Sequence, residues 1–353
     1  MNQVDWNDRS TRPLHQPTRI PRGVQNLICR LRRQLAQDDL GFNGAAAVQA
    51  AFQSERPTIP APSLATINRI LHAHGFMDQR RRIRSSAPPL GWYLPDCASS
   101  GCELDSFDLI EGLGLGEAGL CDVFTGRALW GCSRLAVPAP RWSARAIVSE
   151  LIRYWHQHGL PTFAQFDNDM RFHGSRHPPG SLGRVIRFCL GLGIVPVFAP
   201  PRESGFQAAI ENFNGIWQRC VWQRFHFDVL ADVRLRSERF IRAYVRLLRN
   251  RGHDERAPCR RLIEPTRPNY SQIPNGKVIF LRRTNDNGFV EVLNHRVKVD
   301  PNWPHRLLRC ELNLPDQTMR CYRLRRRAPS EQPLVATVSV ACCLEPIRLG
   351  RMD

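Results

Sequence analysis

The chain has 353 residues, 42% of them hydrophobic and 23% charged, which is the composition of a globular protein with room for two or three domains. No apolar run is long enough to span a membrane, and the first residues lack an apolar signal segment, so we expect a cytoplasmic protein with no membrane partner. The net charge is +18, and only Lys277 and Lys298 of the 50 basic residues are lysines. Because arginine binds phosphate as a planar fork, this charge predicts a nucleic-acid partner.

The twelve cysteines are scattered, and none forms a Cys-x-x-Cys pair. Cys97 and Cys102 stand close together, but no matching His or Cys pair lies near them in the sequence. Structural zinc needs four closed ligands, and the sequence does not supply them. We therefore expect reduced thiols, mostly buried as small apolar residues.

The N-terminal part of the chain is predicted to be helical after a flexible arm at residues 1–22. Apolar residues at helical spacing predict three helices: 24–35, 44–52, and a third that starts after Ser63 and stops at Gly75. Three short helices with a tight break are typical of a helix-turn-helix-like DNA-binding module, here residues 23–84. Its last arginines, Arg80, Arg81 and Arg82, are expected to contact DNA. The alternative is a helical cap that touches no DNA.

After a linker at residues 85–99, the order of elements changes to strands followed by alternating helices and strands. Predicted strands lie at about 103–110, 119–124, 128–136, 162–166 and 194–198, with a turn at Thr125-Gly126, and predicted helices at 143–158, 181–192, 205–222 and 232–250. This order predicts an α/β fold with a ribonuclease-H-like core over residues 100–250, a mixed five-stranded sheet flanked by helices. In the first strand, Leu104, Ser106, Asp108 and Ile110 are expected on one side, and Asp105 and Phe107 on the other.

The C-terminal part is predicted to bind DNA without sequence preference. Helix 232–250 carries arginines along its polar face, and residues 251–275 form a connector. Short predicted strands follow at 277–282, 289–293, 296–299, 306–312 and 319–325, with a hairpin turn at 285–288. They favour a small C-terminal β-barrel over residues 276–328, with Arg325 and Arg326 as DNA contacts, and a loosely ordered tail at 329–353.

Three acidic residues are candidates for a metal site. Asp105 lies in the first predicted strand, Asp167 ends the fourth, and Glu211 begins the last core helix. In a ribonuclease-H-like sheet the first and fourth strands are neighbours, so the two aspartates would lie side by side beneath Glu211. Carboxylates crowded into one cleft need cations, and oxygen ligands suit Mg²⁺ or Mn²⁺, here two per site.

The stretches ELDSFD, QFDNDMRF and GFQAAIENFNGIWQR, in this order, resemble the catalytic core of retroviral-type integrases and bacterial insertion-sequence transposases. The resemblance implies Asp105, Asp167 and Glu211 as catalytic metal ligands, with Asn214 one turn after Glu211. Asp167-Asn168-Asp169 departs from the family's usual Asp-Asn-Gly. The interval from Asp167 to Glu211 exceeds the family's common one, which implies an insertion at residues 171–181.

Several assignments near these motifs stay open. Asp108 is the alternative to Asp105 as the first carboxylate. Asp122 and Asp169 are expected to be structural, Glu203 to be solvated, and His173 and His177 not to bind metal, since the chemistry prefers oxygen ligands. Four polar residues around the last core helix are candidate DNA contacts, with ordinary surface polar residues as the alternative: Arg202, Gln207, Asn214 and Gln218.

The resemblance implies a DNA transposase or integrase. Water would attack a phosphodiester at an element end, and the released 3′-hydroxyl would attack target DNA, without a covalent protein intermediate. Two DNA ends must be paired, which implies a homodimer or larger assembly. The alternatives are a non-catalytic DNA-binding regulator on the same fold, a ribonuclease-H-like nuclease without joining activity, and a structural subunit of a nucleoprotein.

Overall fold

The computed structural model describes residues 20–77, 89–99, 101–116, 119–174, 180–203, 205–262, 269–270, 274–300, 302 and 304–342. The chain divides into two compact units, Met1–Arg82 and Ile83–Asp353. None of the helices in the described ranges is long and apolar enough to cross a membrane.

Residues 20–77 of the first unit form three helices, as predicted: α1 (Arg22–Gln37), α2 (Ala45–Glu55) and α3 (Leu64–Ala73). Their apolar faces enclose a small core that includes Ile28, Phe52 and Ile67, all fully buried. Ser63 caps α3 by accepting a hydrogen bond from the Thr66 N–H at 3.3 Å, which satisfies one of the unpaired donors of the first turn. Arg80, Arg81 and Arg82 lie outside the described residues, as does most of the predicted arm.

The second unit is a mixed sheet flanked by helices. The strands described are β1 (Leu104–Leu115), β2 (Gly119–Ala128), β3 (Arg134–Ala139), β4 (Phe163–Phe166), β5 (Val195–Phe198), β6 (Lys277–Arg283), β7 (Phe289–Val292), β8 (His295–Lys298), β9 (Leu307–Asn313), β10 (Thr318–Arg323) and β11 (Leu334–Ser339). The helices described are α4 (Pro95–Ala98), α5 (Ala144–His158), α6 (Met170–His173), α7 (Arg184–Gly191), α8 (Ala208–Cys220) and α9 (Leu230–Arg249), with short 3₁₀ turns at Trp222–Arg224 and Asp254–Arg256.

Nine of these strands form one sheet in the order β11-β10-β9-β6-β5-β4-β1-β2-β3. β1 pairs antiparallel with β2 and parallel with β4, and β4 pairs parallel with β5. The expectation that the first and fourth strands are neighbours is confirmed. The two carboxyl ends of β1 and β4 therefore point toward the same region of the sheet.

Two predictions about the C-terminal part are wrong. β6, β9 and β10 do not close into a separate barrel in the described residues: β6 pairs parallel with β5 and so extends the central sheet. Beyond Pro329, β11 adds a further antiparallel strand on β10 where we expected a loose tail. Strand periodicity is local, whereas the choice of a partner strand depends on distant residues. The turn at 285–288 is confirmed by a hydrogen bond from the Gly288 N–H to the Asn285 carbonyl at 3.0 Å.

The predicted turn at Thr125-Gly126 is also wrong, because β2 runs through both residues. Gly126 pairs with Phe107 of β1, and a Cβ atom placed there would lie 2.8 Å from the Phe107 ring. The glycine therefore makes room for an aromatic side chain packed across the strand.

The sheet separates two layers. On one side, α5 and α7 cover a core that includes Phe107, Trp155 and Phe166. On the other side, α8 packs against β1 and β2. Because side chains alternate along β1, adjacent residues of this strand face different helices.

Candidate active site

Asp108 and Asp167 lie at the same level of two neighbouring strands. In the β1–β4 ladder, Asp105 is opposite Ala164 and Ser106 is opposite Gln165. Continuing this register by two more residues brings Asp108 level with Asp167, which follows the end of β4. Both residues are half-buried, Asp108 within β1 and Asp167 directly after the end of β4.

Helix α8 reaches these residues through Asn214. The Asn214 Nδ2 atom donates a hydrogen bond to Asp108 Oδ2 at 2.8 Å. Glu211 lies one turn earlier on α8, in its first turn, and is exposed. The hydrogen bond therefore joins the first-strand carboxylate to the helix that carries the third one.

The electrostatics of Asp108 reflect this crowding. Burial, with smaller contributions from the carboxylates of Asp167 and Glu211, raises the pKa of Asp108 to about 6, although hydrogen bonds from the Leu109 N–H and Asn214 oppose the rise. Burial also raises the pKa of Asp167, and a hydrogen bond from the Asp169 N–H opposes that rise. Each of these carboxylates would be more easily ionised beside a cation.

The loop after β4 holds Asp167 by local hydrogen bonds. The Asp169 N–H donates to Asp167 Oδ1 at 3.0 Å. Asp169 itself caps α6 and forms an ion pair with Arg171 at 2.7 Å, and Arg171 also pairs with Glu111 of β1 at 2.7 Å. The hydrogen bonds from Arg171 lower the pKa of Asp169. Asp169 thus supports the loop, as predicted.

Asp105 lies away from these groups, on the opposite side of β1. Its side chain is fully buried and accepts hydrogen bonds from Trp155 Nε1 of α5 at 3.0 Å and from Arg260 Nη1 at 3.0 Å. A second, shorter contact joins Arg260 Nη2 to Asp105 Oδ1. Burial alone would lower the pKa of Arg260, but the charge of Asp105 and the hydrogen bonds to it raise it.

The structure therefore does not bring Asp105 to Asp167 and Glu211, although the sequence interpretation preferred it. The physical reason is the alternation of side chains along β1, which places residues three apart on different sides of the sheet. Asp108, the alternative first carboxylate, is the one that faces α8. Asp122 of β2 accepts a hydrogen bond from the Gly112 N–H of β1 at 3.0 Å and so stabilises the β1–β2 hairpin.

The donor set fits a hard divalent cation in its chemistry. Asp108, Asp167 and Glu211 offer carboxylate oxygens, which Mg²⁺ and Mn²⁺ prefer, and burial penalises the charges of the two aspartates. Within the described residues, no three acidic, His or Cys side chains lie close enough together to hold a metal ion as they stand. His173 is half-buried beside Phe198, and His177 lies outside the described residues.

The candidate DNA contacts occupy different settings around α8. Arg202 is exposed with a positive φ of 58°, Gln218 is half-buried, and the Gln207 Nε2 atom is buried with no hydrogen-bond partner. Asn214 is mostly buried, and its amide serves Asp108. Of the four candidate DNA contacts, Arg202 is therefore the exposed one, and it lies in the loop before α8.

Arg283 of β6 and Arg326, which follows β10, hold that same loop. Glu203, expected to be solvated, forms ion pairs with Arg283 and, at 3.8 Å, with Arg326. The Arg326 guanidinium also lies over the Phe206 ring at 5.3 Å, whereas Arg325 is exposed. Arg326 is therefore already engaged by the protein.

Sequence reasoning missed Arg260 and Arg282. Arg260 lies in the connector, 155 residues from the aspartate that it neutralises, and no local pattern marks such a partner. Arg282 of β6 donates to the Asn168 Oδ1 atom at 2.9 Å, beside Asp167. The sequence did contain a signal that favours Asp108. If Leu104 and Phe163, the first residues of β1 and β4, are placed side by side, then Asp108 and Asp167 are each the fifth residue and fall opposite one another.

No protein-family model matches the chain, and no curated protein is similar enough to count as a relative. Among solved structures, the chain is similar to one described as a cryo-electron microscopy structure of the simian T-cell lymphotropic virus intasome in complex with PP2A regulatory subunit B56 gamma. The TM-score is 0.35 at 13% identity, over 83% of this chain and 95% of that chain. A likeness at this TM-score assigns neither fold nor chemistry, so the placement of the chain's own side chains carries the functional argument.

Proposed function

We propose that this protein is a metal-dependent polynucleotidyl transferase of the transposase and integrase type, acting on DNA through Asp108, Asp167 and Glu211. The supporting observation is the placement of two aspartates level on neighbouring parallel strands, with the Glu211 helix bonded to Asp108 through Asn214. Asp108 replaces Asp105 in this proposal, since Asp105 is committed to a buried ion pair with Arg260.

The strand order supports a ribonuclease-H-like interpretation of the core. Strands β3-β2-β1-β4-β5 form an antiparallel meander followed by parallel strands reached through helices, which is the arrangement that the sequence predicted. The four further strands from the C-terminal part extend this sheet at the β5 edge. The proposed catalytic groups lie on β1, directly after β4 and on α8, all within residues 100–250 that the interpretation covers.

The proposed roles follow from the surroundings of each side chain. Asp108, Asp167 and Glu211 would hold Mg²⁺ or Mn²⁺, which would supply activation of the attacking oxygen and stabilisation of the leaving one at phosphorus. Asn214 orients Asp108, and the Asp169 N–H orients Asp167. Since water and then a DNA 3′-hydroxyl are the attacking groups, no Ser or Tyr nucleophile is needed.

The charge distribution supports DNA as the substrate. The 50 basic residues outnumber the 32 acidic residues, which leaves a net charge of +18. Helix α9 packs on β3 and exposes Arg242, Arg246 and Arg249 on its outer side; Arg242 is paired with Glu238 at 3.7 Å and Arg249 with Asp254 at 3.0 Å, both at the surface. Exposed arginines on one helix can neutralise successive phosphates, and pairing of two DNA ends would require at least a dimer.

The test is a strand-transfer assay with purified protein, labelled DNA ends taken from the segments that border its coding sequence, and a plasmid target. Joined products in Mg²⁺ or Mn²⁺ that disappear with chelator and in Glu211→Gln are expected. Nicking without joining would favour the nuclease instead. Salt-sensitive DNA binding without strand chemistry in either metal would favour the regulator.

A further inference from the structure

Two thiols lie side by side near the start of the central sheet. The Cys97 Sγ atom, in α4, is 3.2 Å from the Sγ atom of Cys102, which lies just before β1. Both cysteines are free in this structure. A disulfide bond is about 2 Å long, so a movement of about 1 Å would bring the two sulfur atoms to bonding distance.

The backbone on both sides of this pair is fixed to the same loop after β2. The Trp130 Nε1 atom donates a hydrogen bond to the Cys97 carbonyl at 3.1 Å. Next to Cys102, the Glu103 carboxylate accepts from the Trp130 N–H at 2.9 Å and from the Gly131 N–H at 3.0 Å. These contacts hold the two thiols close together before any reaction.

The pair is buried beneath a short surface turn. Cys97 is fully buried, whereas Cys102 keeps about 9% of its surface exposed. Ser99 and Gly101, which lie between the two cysteines, are exposed, and the Gly101 N–H donates to the Asp96 carbonyl at 3.0 Å. A small oxidant therefore has its shortest approach to the pair at Cys102.

The hydrogen bond between the thiols makes them chemically unequal. Burial raises the pKa of both, but the bond between them raises the pKa of Cys97 further and lowers that of Cys102. Cys102 is thus the thiol that ionises more readily, and it is also the more exposed one. Because the thiolate is the nucleophile, Cys102 is expected to react first.

We propose that Cys97 and Cys102 form a reversible redox pair, which hydrogen peroxide oxidises to an intramolecular disulfide. The Cys102 thiolate attacks one peroxide oxygen, the O–O bond breaks, and the departing hydroxide takes up the thiol proton to become water. The Cys97 sulfur then attacks the sulfur of the resulting sulfenic acid, the S–O bond breaks, and the hydroxyl leaves as water with the Cys97 proton. The two thiols lose two electrons in total, and one peroxide becomes two waters.

A small thiol would reverse this step by exchange, so the disulfide can respond to the redox state of its surroundings. The inference does not depend on the proposed function, because neither cysteine belongs to the proposed catalytic site.

The disulfide would stabilise the segment at residues 89–99 against the sheet. In this segment, the Tyr93 hydroxyl donates to the Phe206 carbonyl at 3.0 Å, and the two rings lie 5.4 Å apart. Closing a short loop removes conformational freedom from the unfolded chain, so oxidation should raise the unfolding temperature by about 2–5 °C. Cys102→Ser should show no rise after the same treatment. An unchanged unfolding temperature in the crosslinked protein would contradict this stabilising effect.

A second cysteine pair provides an internal control. Cys310 of β9 lies directly opposite Cys321 of β10, and their Sγ atoms are 3.8 Å apart. Both side chains are fully buried. Proximity is therefore similar in the two pairs, whereas access for an oxidant differs.

The experiment treats the full-length protein with hydrogen peroxide, then unfolds it, alkylates the remaining thiols and cleaves the chain before its aspartates. Cleavage before Asp96 and Asp105 releases a peptide that contains Cys97 and Cys102 and no other cysteine. Mass spectrometry distinguishes a peptide with two alkylated thiols from a crosslinked one, which is two hydrogens lighter than the free dithiol. Cys97→Ser and Cys102→Ser are treated in parallel with a dione that labels sulfenic acids.

The expected result is a crosslink between Cys97 and Cys102 that a small thiol removes, while Cys310 and Cys321 remain alkylated. Cys97→Ser should accumulate a sulfenic acid at Cys102, whereas Cys102→Ser should accumulate none at Cys97. Oxidation of the exposed Cys259 without the crosslink would overturn the inference. Equally fast crosslinking of Cys310 to Cys321 would also overturn it, because the reaction would then not depend on access in the folded chain.

Discussion

Asp105 and Asp108 stand three residues apart on one strand, yet their carboxylates have opposite surroundings. Asp105 is neutralised by Arg260 and hydrogen-bonded by Trp155 inside the core. No cation among the described residues pairs with Asp108, and burial, followed by the carboxylates of Asp167 and Glu211, raises its pKa. Removing one partner of a buried ion pair destabilises the fold, whereas an acid whose ionised form is disfavoured is a candidate for cation binding.

The first prediction concerns the buried pair. Asp105→Asn should lower the free energy of unfolding by about 3 kcal/mol, because it removes the nearest carboxylate from the buried Arg260 charge and leaves only Glu103, at 3.8 Å, among the described partners. Arg260→Met should be similarly costly. The double variant should lose clearly less than the sum of the two, measured by urea unfolding. Additive losses would show that the two side chains do not depend on each other.

The second prediction concerns Asn214. Asn214→Ala removes the hydrogen bond that orients Asp108, so strand cleavage should fall about 10- to 100-fold, as for other groups that orient metal ligands. The Mg²⁺ concentration for half-maximal activity should rise in parallel. Gln218→Ala, which removes an amide one turn further along α8, is the control. An unchanged Mg²⁺ requirement in Asn214→Ala would contradict the orienting role.

At the scale of elements, local signals predicted much of the secondary structure. The Ser63 cap fixes the start of α3, and Ser143 likewise caps α5 by accepting from the Ala146 N–H at 3.2 Å. Strand alternation already placed Asp105 and Asp108 on different sides of β1. The choice between them was not decided by alternation, because it depends on which helix covers which side and on an arginine far along the chain.

Gly126 shows where a local signal misled. A Thr-Gly pair is a common turn signal, but here the glycine is needed for close packing inside β2. Nothing adjacent in sequence reveals that the Phe107 ring lies across it. Close approach across strands can be recognised only once the pairing is known.

The third prediction tests that packing. Gly126→Ala should lower the free energy of unfolding by about 1–3 kcal/mol, because the new Cβ would meet the Phe107 ring at 2.8 Å. Gly114→Ala in β1 is the matched control, since a Cβ there meets nothing within 4 Å and should be neutral or slightly stabilising. Thermal unfolding of both variants distinguishes them. Equal effects would count against the packing described.

At the scale of the whole molecule, the central sheet continues into the C-terminal strands. Phe198 of β5 stacks on Phe280 of β6 with ring centroids 5.2 Å apart, so one core spans both parts. The sequence pattern predicted strands at the places of β1 to β10 but not at β11, and it did not predict that β6 pairs with β5. Backbone pairing across that edge is sequence-independent, and the apolar pattern fits a barrel or a sheet equally well.

The fourth prediction follows from this continuity. A chain ending at residue 262 should fail to fold cooperatively, because it exposes the β5 edge and the face of Phe198. Removal of residues 1–82, which form a separate compact unit, should leave cooperative unfolding of the remainder intact. Circular dichroism during heating tests both chains. A stable, cooperative 1–262 fragment would restore the view of an independent C-terminal domain.

The most direct test of the proposed site compares Asp108→Asn with Asp105→Asn in the strand-transfer assay, with the unfolding temperature of each variant measured alongside. Asp108→Asn should unfold at the wild-type temperature or above, yet lose about a thousandfold or more of its joining activity, since a metal ligand contributes several kcal/mol to the transition state. Asp105→Asn should unfold at a lower temperature but keep its joining activity within about tenfold wherever it remains folded. Loss of joining in folded Asp105→Asn, together with an active Asp108→Asn, would contradict the account.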